Sequence, residues 1–90
     1  PALKVIEVLQ REGAEVEFYD PYISEYKYKG EIHKGLDGID EKMVKEADMV
    51  VFTAAHKDYD YEMISKNAKA IFDTRNAMKN IQNRENIELL

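Results

Sequence analysis

The sequence has 90 residues, and 18 Asp and Glu outnumber 13 Lys and Arg to give a formal net charge of −5. Its hydrophobic content of 44% and charged content of 34% are typical of one small globular domain and not of a disordered tail. Because basic and acidic residues are interleaved, the sequence lacks the basic surface that nucleic-acid binding requires. The longest apolar run, about five residues, is far too short to span a bilayer.

Cysteine and histidine contents limit the kinds of metal site. There is no cysteine, which excludes a disulfide framework and a thiolate metal site. The two histidines, His33 and His56, are far apart in the sequence, so no histidine metal site is expected. We therefore expect one domain, residues 1–90, in the cytoplasm, with no metal and no nucleic-acid or membrane partner.

The N-terminal third predicts a helix followed by a strand. "PALKVIEVLQREG" has apolar residues at helical spacing, a proline suited to the first turn, and Gly13 suited to the position after the last turn. "AEVEFYD" alternates apolar and acidic residues and predicts a strand over residues 15–19. Asp20, before a proline, is expected to end this strand as a turn former.

The rest of the chain predicts alternating helices and strands. Residues 23–38 allow an exposed hairpin around Gly30, and "DEKMVKEA" predicts a short helix capped by Asp40. "DMVVFTA" and "KAIFDT" are apolar strands typical of a parallel sheet, and "YDYEMISKNA" between them predicts a helix. The last segment, "NIELL", is either a closing strand or a frayed helix.

This order predicts an α/β fold, a Rossmann-like three-layer arrangement with a parallel sheet flanked by helices. The first helix has no strand in front of it, although that strand is normally central in such a sheet. We therefore expect the chain to be a fragment that lacks its first central strand.

Polar clusters follow the three predicted strands: "DPY", "TAAH" and "DTRN". Ligands of open parallel sheets bind beyond the carboxyl ends of the strands, so all three clusters are expected on one edge. Arg75 is the only full positive charge among them. Its planar guanidinium matches phosphate or carboxylate, which indicates an anionic ligand.

Structural roles are the alternatives for these residues. His56 is expected to cap the next helix or to bond a backbone carbonyl. Tyr59 and Tyr61 are expected to pack at a helix start and not to stack on a base. Asp73 and Arg75 either contact a ligand or pair with residues of a neighbouring domain.

Several sequence signatures of chemistry are absent. No G-x-G-x-x-G follows a strand, no P-loop occurs, and no Ser or Cys lies beside a plausible base. The chain alone is therefore not expected to catalyse a reaction.

Two long stretches carry a family resemblance. "PALKVIEVLQREGAEVEFYDPY" and "ADMVVFTAAHKDYDYEMISKNAKAIFDTRNAM" resemble the C-terminal, UDP-binding domain of the UDP-glucose/GDP-mannose dehydrogenase family. The "DTRNAM" ending and the "YDYEMI" helix are most similar to the branch that oxidises UDP-N-acetylhexosamines (UDP-GlcNAc or UDP-ManNAc). The family's domain begins with a strand and a "DxRxSPAL" motif, and this sequence starts at the proline of that motif.

The resemblance implies a role within a larger NAD-dependent UDP-sugar 6-dehydrogenase for polysaccharide precursor synthesis. Such enzymes join an NAD-binding domain, a central helical dimerisation domain and this UDP-sugar-binding domain, so a homo-oligomer is implied. By residue-level correspondence only Arg75 matches a position that contacts the UDP-sugar. Asp73, Asn76 and His56 are implied to be structural or to lie behind the ligand contacts. The alternative is a stand-alone interaction or nucleotide-binding module without catalysis.

Overall fold

Residues 2–28 and 30–90 are described by the computed structural model. Their helices and strands are α1 (Ala2–Arg11), β1 (Glu25–Tyr28), β2 (Glu31–Lys34), α2 (Glu41–Glu46), β3 (Val50–Phe52), α3 (Tyr61–Asn67), β4 (Ile71–Asp73) and β5 (Ile87–Leu89). The chain divides into two compact units, Pro1–Ile39 and Asp40–Leu90. Within the described residues no helix is both long and apolar enough to cross a membrane.

The first unit begins with α1, which confirms the predicted amphipathic helix apart from Pro1, which lies outside the described residues. Val5, Ile6 and Leu9 are half-buried, whereas Lys4 and Gln10 are exposed. Gly13 lies in the turn that follows the helix, as predicted. Its φ of 92° lies in the left-handed region, and its N–H donates to the Gln10 carbonyl at 3.0 Å.

Strands β1 and β2 form the predicted antiparallel hairpin, with Gly30 at a φ of 80° in its turn. Tyr26 pairs with His33 across the hairpin, and their rings stack with centroids 4.9 Å apart. The Phe18 ring packs on Tyr26 at a centroid distance of 5.1 Å. Aromatic contacts therefore hold the hairpin within a unit whose described side chains are at most half-buried.

The predicted strand over residues 15–19 is wrong, because this segment has an irregular conformation. A strand needs a continuous ladder of backbone hydrogen bonds with a neighbour. Within the described residues this segment has one such bond and no ladder: the Leu36 N–H donates to the Phe18 carbonyl at 2.8 Å. The alternation in this segment therefore reflects a half-buried face, formed by Val16 and Phe18, and not a strand of a sheet. Asp20 does form the predicted turn, since its carboxylate accepts the Tyr22 N–H at 2.8 Å.

The second unit contains the predicted parallel sheet, with strand order β3-β4-β5. Val50 pairs with Ile71 and Ile71 pairs with Ile87, so β4 is central among the described strands. Strand β5 settles the alternatives for "NIELL" in favour of a closing strand. The sheet does not include residues 15–19, so the expectation that all three polar clusters follow strands of one sheet is also wrong.

Helices α2 and α3 flank this sheet and pack on each other. Each begins at an aspartate: Asp40 accepts the Met43 N–H at 2.9 Å, as predicted, and Asp60 accepts the Met63 N–H at 3.1 Å. Ile64 of α3 and Ile71 of β4 are each 1% exposed. The described core of the unit consists of Val44, Phe52, Ile64, Ala68, Ile71, Met78 and Ile81, together with one charged residue, Asp73.

Replacing Gly13 with Ala tests the end of α1. The added methyl group meets nothing within 4 Å, so its cost comes from the left-handed backbone alone. We expect the free energy of unfolding to fall by about 1 kcal/mol in urea denaturation. Gly38→Ala is the matched control, because it also adds a methyl group in open space but without a positive φ. Equal effects of the two substitutions would contradict this account.

Candidate functional site

Asp73 is the last residue of β4, and its side chain is 0% exposed. One carboxylate oxygen, Oδ1, accepts the backbone N–H groups of Arg75 at 3.0 Å and Ala77 at 2.9 Å. The other, Oδ2, accepts the N–H of Met78 at 2.8 Å. Residues 74–78, which we name the Asp73 loop, are therefore wrapped around a buried negative charge.

Two opposing effects set the pKa of Asp73. Burial raises the pKa because it disfavours the charged carboxylate. The three backbone N–H groups, first among them that of Met78, and the positive charge of Arg84 lower it. Together they outweigh burial, so the pKa of Asp73 lies below its ordinary value of 3.8. The carboxylate is ionised at neutral pH and serves as a fixed hydrogen-bond acceptor.

Thr74 joins the Asp73 loop to the end of β3. Its backbone N–H and its hydroxyl group both donate to the Phe52 carbonyl, at 3.1 Å and 2.6 Å. On the other side of β4, the Leu90 N–H donates to the Asp73 carbonyl at 3.0 Å. The carboxyl end of the central strand is thus bonded to the chain on both sides.

Arg75 is exposed, and its position in the loop follows from these bonds. Its Nε–H donates to the Thr53 carbonyl at 3.2 Å. Among the described residues, no hydrogen bond or ion pair engages its two terminal nitrogens. Asn76 follows with a φ of 53°, a left-handed conformation that asparagine tolerates better than most residues. The loop therefore presents a half-anchored guanidinium at the carboxyl edge of the sheet.

His56 lies in the other loop of this edge, residues 53–60, which connects β3 to α3 and which we name the edge loop. Its ring Nδ1 accepts the Asp58 N–H at 3.1 Å and lies 3.6 Å from an Asp58 carboxylate oxygen. Nδ1 is the acceptor in this hydrogen bond, which is the arrangement of the tautomer that has its hydrogen on Nε2. The imidazole thus stabilises its own loop.

Tyr59 and Tyr61 pack on the core, as the sequence predicted. Their ring centroids lie 6.0 Å and 5.5 Å from that of Phe52, a buried residue of β3. The Tyr61 hydroxyl group also bonds the backbone of His56, where it accepts the N–H at 2.8 Å and donates to the carbonyl at 2.7 Å. The aromatic side chains at the start of α3 therefore form part of the sheet edge.

Two residues of the polar C-terminal segment also support the site, and sequence reasoning missed them. Arg84 Nη1 donates to the carbonyls of Met78 at 2.8 Å and Ile81 at 3.3 Å. Asn86 Nδ2 donates to the carbonyls of Ser65 and Ala68, both at 2.9 Å, at the end of α3. No sequence pattern predicts these contacts, because each side chain bonds backbone carbonyls that lie close to it only in the folded chain.

The arrangement is suited to binding an anion. An exposed guanidinium whose Nε is bonded, and whose two terminal nitrogens bond none of the described residues, has paired donors for phosphate or carboxylate oxygens. Across the described residues, no cluster of three or more His, Asp or Glu side chains is placed to hold a metal ion. A dinucleotide does not fit these residues either, because neither loop contains the glycines that let a pyrophosphate approach the backbone.

Substituting Asp73 with Asn tests the role of the buried carboxylate. In the Asp73→Asn variant one carboxylate oxygen becomes an NH2 group, so two donors, this group and the Met78 N–H, would face each other. We expect the free energy of unfolding to fall by about 1–3 kcal/mol at neutral pH. Because the folded pKa is lowered, the stabilisation by Asp73 is present above 3.8 and lost as the pH falls through the folded pKa. Urea denaturation of both proteins over a pH series measures this difference.

The difference between wild type and Asp73→Asn should therefore shrink in acid. Asp48→Asn is the matched control, since the Asp48 side chain is fully exposed and lies 3.9 Å from Lys69. A difference that stays constant down to about pH 2 would show that the charge of Asp73 does not stabilise the fold.

Comparisons with known proteins show the family of the chain. Residues 1–80 match the UDP binding domain of the UDP-glucose/GDP-mannose dehydrogenase family. A UDP-N-acetyl-D-mannosamine dehydrogenase from Pyrococcus horikoshii is 33% identical over 84 residues, which cover 88% of this chain. The chain spans 18% of the length of that relative. No solved structure gives a significant match. Since the family match covers both loops and most of the chain, this chain belongs to the UDP-glucose/GDP-mannose dehydrogenase family as its UDP binding domain.

Proposed function

We propose that the chain is the UDP-sugar-binding part of an NAD-dependent nucleotide-sugar 6-dehydrogenase, and that Arg75 contacts the anionic part of the UDP-sugar. The observation that carries the proposal is the half-anchored guanidinium of Arg75. Its Nε–H is bonded to the Thr53 carbonyl, and the residue is exposed at the carboxyl edge of a parallel sheet. That edge is where open α/β sheets bind their ligands.

The role proposed for this chain is positioning. A charge-assisted contact to a group distant from the reacting carbon orients the sugar for hydride transfer. Asp73 and Asn76 act behind this contact: Asp73 holds the loop, and Asn76 turns the chain directly after Arg75. His56 stabilises the edge loop on the neighbouring strand.

The substrate and the rest of the enzyme are part of the same proposal. The relative's name supports a UDP-N-acetylhexosamine as the substrate, which is oxidised to the uronate for polysaccharide precursor synthesis. NAD is bound by a domain outside this chain, because the loops here do not fit a dinucleotide. Residues 1–90 function as one C-terminal UDP-sugar-binding domain beside an NAD-binding and a central helical domain, in a cytoplasmic homo-oligomer.

Substituting Arg75 in the full-length enzyme tests the proposal. For Arg75→Ala we expect the KM for the UDP-sugar and the inhibition constant of UDP to rise by roughly tenfold to a hundredfold, because a charge-assisted hydrogen bond is lost. Arg75→Lys keeps the charge but not the paired donors, so it should restore only part of the affinity. Steady-state kinetics with UDP as a competitive inhibitor measures both constants.

Arg11→Ala is the matched control, since Arg11 is an exposed arginine of α1 paired with Glu7 at 3.1 Å. Its kinetic constants should equal those of the wild type. Unchanged constants for Arg75→Ala would exclude a substrate contact by Arg75. A full-length protein that does not oxidise UDP-sugars would favour the alternative, an interaction or nucleotide-binding module without catalysis.

A further inference from the structure

The Tyr61 hydroxyl group bonds both backbone polar groups of one residue in the edge loop. It accepts the His56 N–H at 2.8 Å and donates its own proton to the His56 carbonyl at 2.7 Å. Both bonds are short and part-buried, and together they use the hydroxyl as donor and as acceptor. The backbone of His56 is therefore fixed in position and in orientation by a single side-chain atom.

Tyr61 itself is held rigidly by its surroundings. It is the first residue of α3, directly after Asp60, which caps the helix. Its ring packs on Phe52, which is 5% exposed, at a centroid distance of 5.5 Å. The ring thus attaches the hydroxyl group to the core residue Phe52, and the two bonds to His56 attach the edge loop to that hydroxyl group.

The edge loop in turn contacts the side chain proposed to bind the ligand. The Arg75 Nε–H donates to the carbonyl of Thr53, the first residue of the edge loop. One end of the segment from Thr53 to His56 continues from β3, and the other is fixed by Tyr61. The direction of the Thr53 carbonyl, and with it the direction of the guanidinium, therefore depends on both attachments.

We propose that Tyr61 is a positioning residue for Arg75, which acts through the edge loop and does not touch the ligand. The inference rests on the proposed function, because it names what orients the arginine of that site. Holding the loop in its binding conformation before the ligand arrives reduces the ordering that binding would otherwise require. The hydroxyl group of Tyr61 therefore contributes to affinity without a contact to the ligand.

Tyr61→Phe in the full-length enzyme tests this inference, because it removes the hydroxyl group and keeps the ring that packs on Phe52. Both hydrogen bonds to His56 are lost, so binding must then order the edge loop, and we expect the KM for the UDP-sugar and the inhibition constant of UDP to rise about threefold to tenfold. The kcat should stay within about twofold, because the hydroxyl group takes no part in the chemical step. Tyr26→Phe is the matched control: Tyr26 lies in the hairpin of the first unit, and among the described residues its hydroxyl group makes no hydrogen bond.

A double-mutant cycle separates positioning from a general structural effect. In the Arg75→Ala background, Tyr61→Phe should change neither constant further, since the side chain it orients is gone. Hydrogen exchange read by mass spectrometry should quicken in residues 53–60 and stay unchanged in β4. That result would show that the substitution loosens the edge loop while the sheet remains folded.

Three results would overturn the inference. One is that Tyr61→Phe leaves both constants unchanged while Arg75→Ala raises them, which would leave the proposed function intact. Another is full additivity of the two substitutions in the cycle. The third is faster exchange throughout the sheet, which would make the effect of Tyr61 one of global stability. If Arg75→Ala itself changes neither constant, the substrate contact proposed for Arg75 and this inference are both wrong.

Discussion

The buried carboxylate of Asp73 is the interaction on which the rest of the sheet edge depends. A charge that is 0% exposed is costly unless it is fully hydrogen-bonded, and three N–H groups of the Asp73 loop meet this requirement. The same bonds determine the course of the chain after β4, because the loop must curve so that three of its N–H groups point at one carboxylate. On this path Arg75 and Asn76 lie at the surface beside the end of the strand, whereas Met78 is buried in the core.

Phe52 connects this loop to its neighbour on β3. Its carbonyl accepts two hydrogen bonds from Thr74, and its ring packs on Tyr59 and Tyr61 at the start of α3. This last residue of β3 thus bonds the Asp73 loop through its backbone and supports the edge loop through its side chain. Two loops that are far apart in the sequence are in this way held in one arrangement around Arg75.

A site built in this way is suited to recognising an anionic ligand. It offers one exposed guanidinium and a set of carboxylate, hydroxyl and imidazole groups that are engaged in holding backbone. Membership of the dehydrogenase family agrees with such a role, because the chain matches the family's UDP binding domain. Binding energy collected at a site remote from the reacting carbon can still accelerate the reaction, provided that it orients the substrate.

Local chemistry in the sequence determined several features by itself. Aspartates before apolar helical patterns predicted caps, as at Asp40, Gly13 predicted the end of α1, and continuous apolar runs predicted the parallel pair β3 and β4. The sequence also placed Arg75 after the end of a strand. Tertiary structure alone decided what depends on partners distant in the chain. Residues 15–19 alternate like a strand but have no ladder partner among the described residues. The side chains of Arg84, Asn86 and Tyr61 bond backbone groups of other segments. Every residue has the same backbone carbonyl group, so the sequence does not indicate which carbonyl a side chain will bond, and only the tertiary structure shows it.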